Sequence, residues 1–412
     1  MLKYKDIMDN KITKIIAEEV KDSRGNPTIK VTVFCGDEFG SFAVPSGAST
    51  GAHEAHELRD DDDKGVGKAI ERVNNIIAPM LIGQNVLNQE VIDNIMIKLD
   101  GTPNKDSLGG NAMIGVSIAC AKVAAKVSHL ETFEYLRTLA HIKHSQKVPY
   151  LYMNLINGGK HAKNNLAFQE YHIVPETEDV EEAVKMGVAI QKSLGEIIEK
   201  DLGKESLVLG DEGGFAPQIT SIRKPLVYLS EAIARNDFVG RIRLALDVAS
   251  SSFYENKMYK VDGNLISKEK LMNIYGLLIN EFNLLSIEDP FFEEDFGSFR
   301  KLKEENKKLL VLGDDLTVTN RVLLQKAIDE ESINAMIIKP NQIGTLTETL
   351  ETMKLARENG VELIISHRSG ETDDDFIADL AYAFGCFGLK SGAPLKPERK
   401  VKYDRLIEIS GK

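Results

Sequence analysis

From Asp247 onward the chain repeats one pattern: a short, almost wholly apolar run closes on a charged or polar residue, and another follows. The runs lie in LALDVAS, LLSIEDP, LLVLGDDL, MIIKP, LIISHRS and CFGLKSG. Their closing residues Glu288, Asp314, Lys339, His367 and Lys390 are 26, 25, 28 and 23 positions apart. That is the length of a strand, a helix and their two turns. Residues 333 to 366 spell out one unit: strand INAMIIKP, turn NQIG, a helix from Thr345 to Asn359, a stop at Gly360 and a new strand VELIIS. Leu346, Leu350, Met353 and Leu355 fall largely on one helix face. The gap of 41 from Asp247 to Glu288 is wider, and SFYENKMYKVDGN reads as a hairpin inserted there. Such recurrent βα units, with charge at the strand ends, predict a (β/α)8 barrel whose chemistry sits at the C-terminal face.

The first third of the chain has another rhythm. KITKIIAEEV, PTIKVTVFC and FGSFAVP are strand-like, and Gly25-Asn26-Pro27 and Gly36-Asp37 supply turns, so an antiparallel three-stranded meander is expected. Helical spacing follows in AIERVNNIIAPMLIG, EVIDNIMIKLDG and NAMIGVSIACAKVAAKV. At 412 residues the chain exceeds the roughly 250 to 300 that one core serves. The fold class is therefore α/β: an N-terminal α+β cap domain over 1–140 and a C-terminal barrel over 141–412, with the polar stretch 141–148 as linker.

Composition narrows the function. A net charge of -12 argues against nucleic acid as the main ligand, since binding there requires Lys and Arg to neutralise phosphates. Cys35, Cys120 and Cys386 are odd in number and far apart, which fits a reducing cytoplasm rather than a disulfide framework. The N-terminal stretch lacks the apolar core of a signal peptide, and no uninterrupted apolar run approaches the roughly 18 residues of a membrane span.

Asp247, Glu288 and Asp314 each end a strong apolar strand. Three carboxylates at one barrel mouth repel unless a cation lies among them, and all-oxygen ligation favours Mg2+ or Mn2+ over Zn2+. Lys339 ends the next strand, where neighbouring cations are expected to lower its pKa toward that of a proton-abstracting amine. His367, Arg368, Ser369 and Lys390 make the same mouth basic, which suits a small, multiply anionic substrate. Glu212, within GDEGG, is a carboxyl on a rim loop, and Gln169-Glu170 end the segment NNLAFQEY. The PSGASTG loop, residues 45–51, lacks a P-loop ending and reads as a mobile lid. Asp60 to Asp63 lack the bidentate Glu of an EF-hand and read as a solvated acidic turn.

The stretches DSRGNP, PSGASTG, GDEGG, SIEDP, GDDLTVTN, IKPNQIGT and SHRSGET occur in the order found in enolases, and the resemblance runs from about Ile12 to Ile409. It implies an enolase-type barrel with its second strand antiparallel, and reversible dehydration of 2-phosphoglycerate to phosphoenolpyruvate in glycolysis and gluconeogenesis. By resemblance Asp247, Glu288 and Asp314 match the ligands of a tightly held Mg2+, and Ser49 the lid residue meeting a second Mg2+ that arrives with substrate. Lys339 resembles the base that removes the C2 proton, and Glu212, with Glu170 beside it, the acid that helps the C3 hydroxyl leave. Arg368 and Ser369 match the phosphate-binding pair, Lys390 and Gln169 further substrate contacts, and His161 and His367 the family's active-site histidines. The same resemblance implies a homodimer or larger homo-oligomer in the cytoplasm, and leaves an additional presence at the cell surface open.

Three positions depart from the common pattern: Gly110, Pro340 and Pro397. Two other readings stand beside the main one. One is a superfamily member acting on a different carboxylate, against which Arg368 and Ser369 weigh. The other is a catalytically silent binding protein using Lys412, against which the complete set of ligands and base weighs.

Overall fold

The computed structural model describes residues 10–47, 51–61, 64–142 and 147–411. Strands β1 (Ile12–Lys21), β2 (Pro27–Cys35) and β3 (Glu38–Ala43) form the expected antiparallel meander in the order β1-β2-β3. Helices Gln89–Asp100, Gly110–Val127 and Thr132–Leu139 follow it. Helix Gly110–Val127 is long and apolar enough to cross a bilayer, but it is buried without a break from Gly110 to Ala121 against β2 and β3. Such all-round burial marks a core helix. At Gly40 in β3 a Cβ would stand 2.4 Å from the Ala119 carbonyl, so glycine permits the strand and helix to touch.

The second body begins with β4 (Tyr150–Asn157), β5 (Glu170–Pro175) and β6 (Ile242–Asp247). After β6 the expected hairpin is a three-stranded sheet of β7 (Tyr254–Glu255), β8 (Met258–Val261) and β9 (Asn264–Ile266). Then come β10 (Ser286–Glu288), β11 (Leu310–Gly313), β12 (Ala335–Ile338), β13 (Glu362–Ser366) and β14 (Gly388–Lys390). With β4 to β6 these close into the eight-stranded barrel expected from the strand-end spacing, in the order β10-β11-β12-β13-β14-β4-β5-β6. Tyr152, Val174, Ala245, Leu312, Ala335, Ile337 and Ile364 make a buried cluster within the barrel sheet. β5 alone runs antiparallel, pairing with both β4 and β6. Glu170 therefore opens a strand instead of ending one. The reversal sets its first residue beside Asn157 and Asp247, the last residues of β4 and β6.

The expected helix from Thr345 to Asn359 spans Leu346–Glu358, with Thr345 capping it by accepting from the Glu348 N–H. Two of its leading N–H groups are bound by the cap domain. Ser117 Oγ accepts from Leu346 N at 2.9 Å, and the fully buried Asp93 accepts from Thr347 N at 2.9 Å and Thr347 Oγ1 at 2.6 Å. Asp93→Ala strands these donors. It is expected to cost about 2 kcal/mol in urea unfolding; an unchanged midpoint would dismiss the joint as incidental.

The departures from the common pattern have local reasons. A Cβ on Gly110 would come 2.8 Å from the Ala55 Cβ. Pro397 starts helix Pro397–Ser410, where a missing N–H costs nothing, and Pro340 begins a short 3-10 turn after Lys339.

Candidate active site

Every strand-end residue singled out above reaches the barrel mouth. His161, Gln169, Glu170, Glu212, Asp247, Asp314, Lys339, His367, Arg368, Ser369 and Lys390 line one cavity of ≈ 20 Å³, and Glu288 joins them through Lys390. The Lys390 ammonium lies 2.8 Å from Asp247 Oδ2, 2.8 Å from Glu288 Oε2 and 3.4 Å from Glu170 Oε2. Three buried carboxylates thus share one cation, and burial followed by the Asp247 charge pushes Glu288 well up from the ordinary range. Asp314 pairs instead with Lys339, and Gln342 donates to its other oxygen at 2.9 Å.

The three proposed ligands do not fall into one tight group. Among the described residues the compact sets are His161–Glu170–Glu212 and Asp289–Asp314–Asp315, with candidate ligand atoms within 4.8 Å of one another. Asp289 accepts from the backbone N–H groups of Asp314 and Asp315 at 2.9 and 2.7 Å, so the residue that follows β10 fixes the turn that presents Asp314. Burial and the neighbouring Asp314 push Asp315 up to about 7. The residues present fit a hard divalent cation: acids outnumber ammonium groups, and the buried Gln169 Oε1 has no hydrogen-bond donor among the described residues. The resemblance to enolases assigns it to Asp247, Glu288 and Asp314, of which Asp314 belongs to one of the compact sets. Ser49 lies outside the described residues, as do the neighbouring Ala48 and Thr50.

Two electrostatic expectations come out differently. Burial, Arg368 and Lys390 all lower the Lys339 pKa as anticipated, but the Asp314 ion pair outweighs them and holds it above the usual lysine value. Glu212, expected as the acid, is held below the carboxylate range: burial and Glu170 push it up, and the neighbouring imidazoles of His367 and His161 prevail. Burial lowers the His161 pKa, but Glu212 and Glu170, at 3.4 and 3.3 Å from its Nδ1, raise it further.

Sequence reasoning passes over several participants. Asn154 Nδ2 donates to Glu212 Oε2 at 2.9 Å, and His172 Nε2 lies 2.8 Å from Glu170 Oε2. His172 is accessible to such reasoning, since it stands two residues beyond Glu170 on a strand whose faces alternate. Glu54 is not: it belongs to the cap, yet its Oε2 accepts from both Nη1 and Nη2 of Arg368 at 2.9 Å. Arg368 is shared with a second cavity of ≈ 280 Å³, lined also by Pro45, Gly51, Glu54, Asn111 and Asn341.

Comparison with known proteins agrees with this geometry. Residues 12–136 match the family model "Enolase, N-terminal domain" and residues 145–412 match "Enolase, C-terminal TIM barrel domain". The chain is 45% identical over 404 residues to the enolase of Methanocaldococcus jannaschii, covering 97% of this chain and 94% of that protein. It is 44% identical over 411 residues to the enolase of Methanosarcina barkeri, covering 98% and 95%. It is likewise 44% identical over 416 residues to enolase 1 of Entamoeba histolytica, covering 97% and 95%. A closed eight-stranded barrel with one reversed strand, its acids and lysines gathered at one mouth, and matches along nearly the whole length lead to one conclusion: the chain belongs to the enolase family of lyases.

Proposed function

We propose that this protein is a phosphopyruvate hydratase that interconverts 2-phosphoglycerate and phosphoenolpyruvate, serving glycolysis and gluconeogenesis. The reading rests on the one cavity shared by Lys339, Glu212, Arg368, Ser369 and Lys390: a base, an acid and anion-holding groups within reach of a single small molecule. Arg368 and Ser369 hold the phosphate, and Gln169 and Lys390 meet the carboxylate end. Lys339 Nζ removes the C2 proton once its charge is lost, as expected of the lysine or histidine base general to enolase-superfamily chemistry. With Asp314 engaged elsewhere, burial, Arg368 and Lys390 are left to lower its pKa. The C3–O bond then breaks, and the departing hydroxide takes a proton from the Glu212–His161 pair to leave as water. Lys390 stabilises the negative charge that deprotonation throws onto the carboxylate. Asp247, Glu288 and Asp314 would hold Mg2+, and by resemblance Ser49 a second, substrate-dependent ion; together they would supply further positive charge against that dianion.

The test is direct. Mixing protein, Mg2+ and 2-phosphoglycerate should raise the ultraviolet absorbance of phosphoenolpyruvate, and excess EDTA should stop the rise until Mg2+ is restored. Full rate in EDTA removes the metal assignment; no absorbance change with Mg2+ removes the reaction. We further infer a cytoplasmic homo-oligomer divided near residue 140, the stretch that separates the two matched family models. Light scattering after gel filtration reads the assembly.

A further inference from the structure

Arg399 is fully buried, yet no carboxylate among the described residues meets its guanidinium at hydrogen-bond distance; Glu398 comes to 3.8 Å of Nε. Its donors go elsewhere. Nη1 reaches His367 Nδ1 at 2.5 Å and the Arg368 carbonyl at 2.6 Å, while Nη2 reaches the carbonyls of Ser369 at 2.7 Å and Asp211 at 3.4 Å. One side chain thus ties together three successive residues of the segment that follows β13 and the GDEGG loop that carries Glu212.

A guanidinium can only donate, so His367 Nδ1 must accept. In a neutral imidazole the proton then sits on Nε2. That nitrogen is buried, lies 3.4 Å from Glu212 Oε1 and makes no hydrogen bond among the described residues. An imidazolium would turn a second N–H against a guanidinium donor. We propose that Arg399 is a positioning residue: it fixes the tautomer of His367 so that Nε2–H is turned toward Glu212, and it locks the segment bearing Arg368 and Ser369 to the same point. The groups facing His367 agree with a neutral ring, since burial and Arg399 together outweigh the pull of Glu212 and Glu170 and hold its pKa below the usual histidine value. The placement is rigid because Arg399 lies in the first turn of helix Pro397–Ser410.

This inference leans on the proposed function only for the role of Glu212; the tautomer can be read without substrate. The full chain labelled with 15N-histidine, with His367 assigned by the signal missing in His367→Asn, should show a neutral ring protonated at Nε2 at neutral pH. A ring protonated at Nδ1, or doubly protonated, overturns the proposal. In Arg399→Lys the three donors of one ammonium cannot serve the ring and all three carbonyls. With an unchanged circular dichroism spectrum, this variant should show a mixed tautomer signal and a kcat lowered roughly 10- to 100-fold, the usual cost of losing an outer orienting partner. A lysine variant that keeps the single tautomer and turns over within about twofold of the parent overturns it as well. Should that variant not fold, the parent spectrum decides alone. Absence of turnover in the parent would count against the proposed function and leave the tautomer result standing.

Discussion

Lys339→Ala is expected to lower conversion of 2-phosphoglycerate by about 10⁴-fold, the upper range for one positioned base, while Mg2+-dependent substrate binding stays within a few-fold of the parent. The two effects separate because Lys339 is proposed to move a proton, whereas phosphate is held by Arg368 and Ser369. The substitution also removes the ion pair that raises Lys339 above the usual lysine range, leaving Asp314 with Gln342 as its side-chain donor. Single-turnover kinetics beside calorimetric substrate binding read both quantities. Near-normal turnover would strip Lys339 of its role; lost binding with an unchanged chemical step would reassign it to substrate capture.

Lys390→Met should have the largest effect on stability. It leaves Asp247, Glu288 and Glu170 buried without the ammonium they share, and removing one member of a buried charge cluster costs about 3 to 5 kcal/mol. A divalent cation held by Asp247 and Glu288, two of these acids, offsets part of that loss, because anything bound only to the folded state stabilises it. Thermal unfolding of the variant should therefore respond to Mg2+ more strongly than that of the parent. Equal responses would mean that Asp247 and Glu288 do not hold the metal ion.

Much of the fold is legible in the sequence because a barrel strand is short, apolar on both faces and followed by a helix, so its end announces itself. Glu288, Asp314, Lys339, His367 and Lys390 can be placed at one mouth from spacing alone. The direction of β5 cannot, since neither apolar content nor length says which way a strand runs; only the family resemblance carries it. That is why the residues around Glu170 read as the end of a segment. Contacts between distant segments are hidden for a different reason: nothing local in the chain joins Glu54 to Arg368, or Asp93 to Thr347, across separations of 314 and 254 residues. The protonation of Glu212 and Lys339 escapes the sequence because each pKa is set by close partners, His367 and His161 for one and Asp314 for the other, whose distance no sequence gives.

The cap's hold on helix Leu346–Glu358 bears on how such a protein can be taken apart. That helix begins seven positions after Lys339, and its opening amides are bound by Ser117 and Asp93. A barrel transplanted without its own cap would keep the strand-end residues of the catalytic mouth yet fray at the turn that follows the base. The two halves are thus poor candidates for mixing between distant relatives: a hybrid must inherit the acid, the hydroxyl and the helix they seat as one piece.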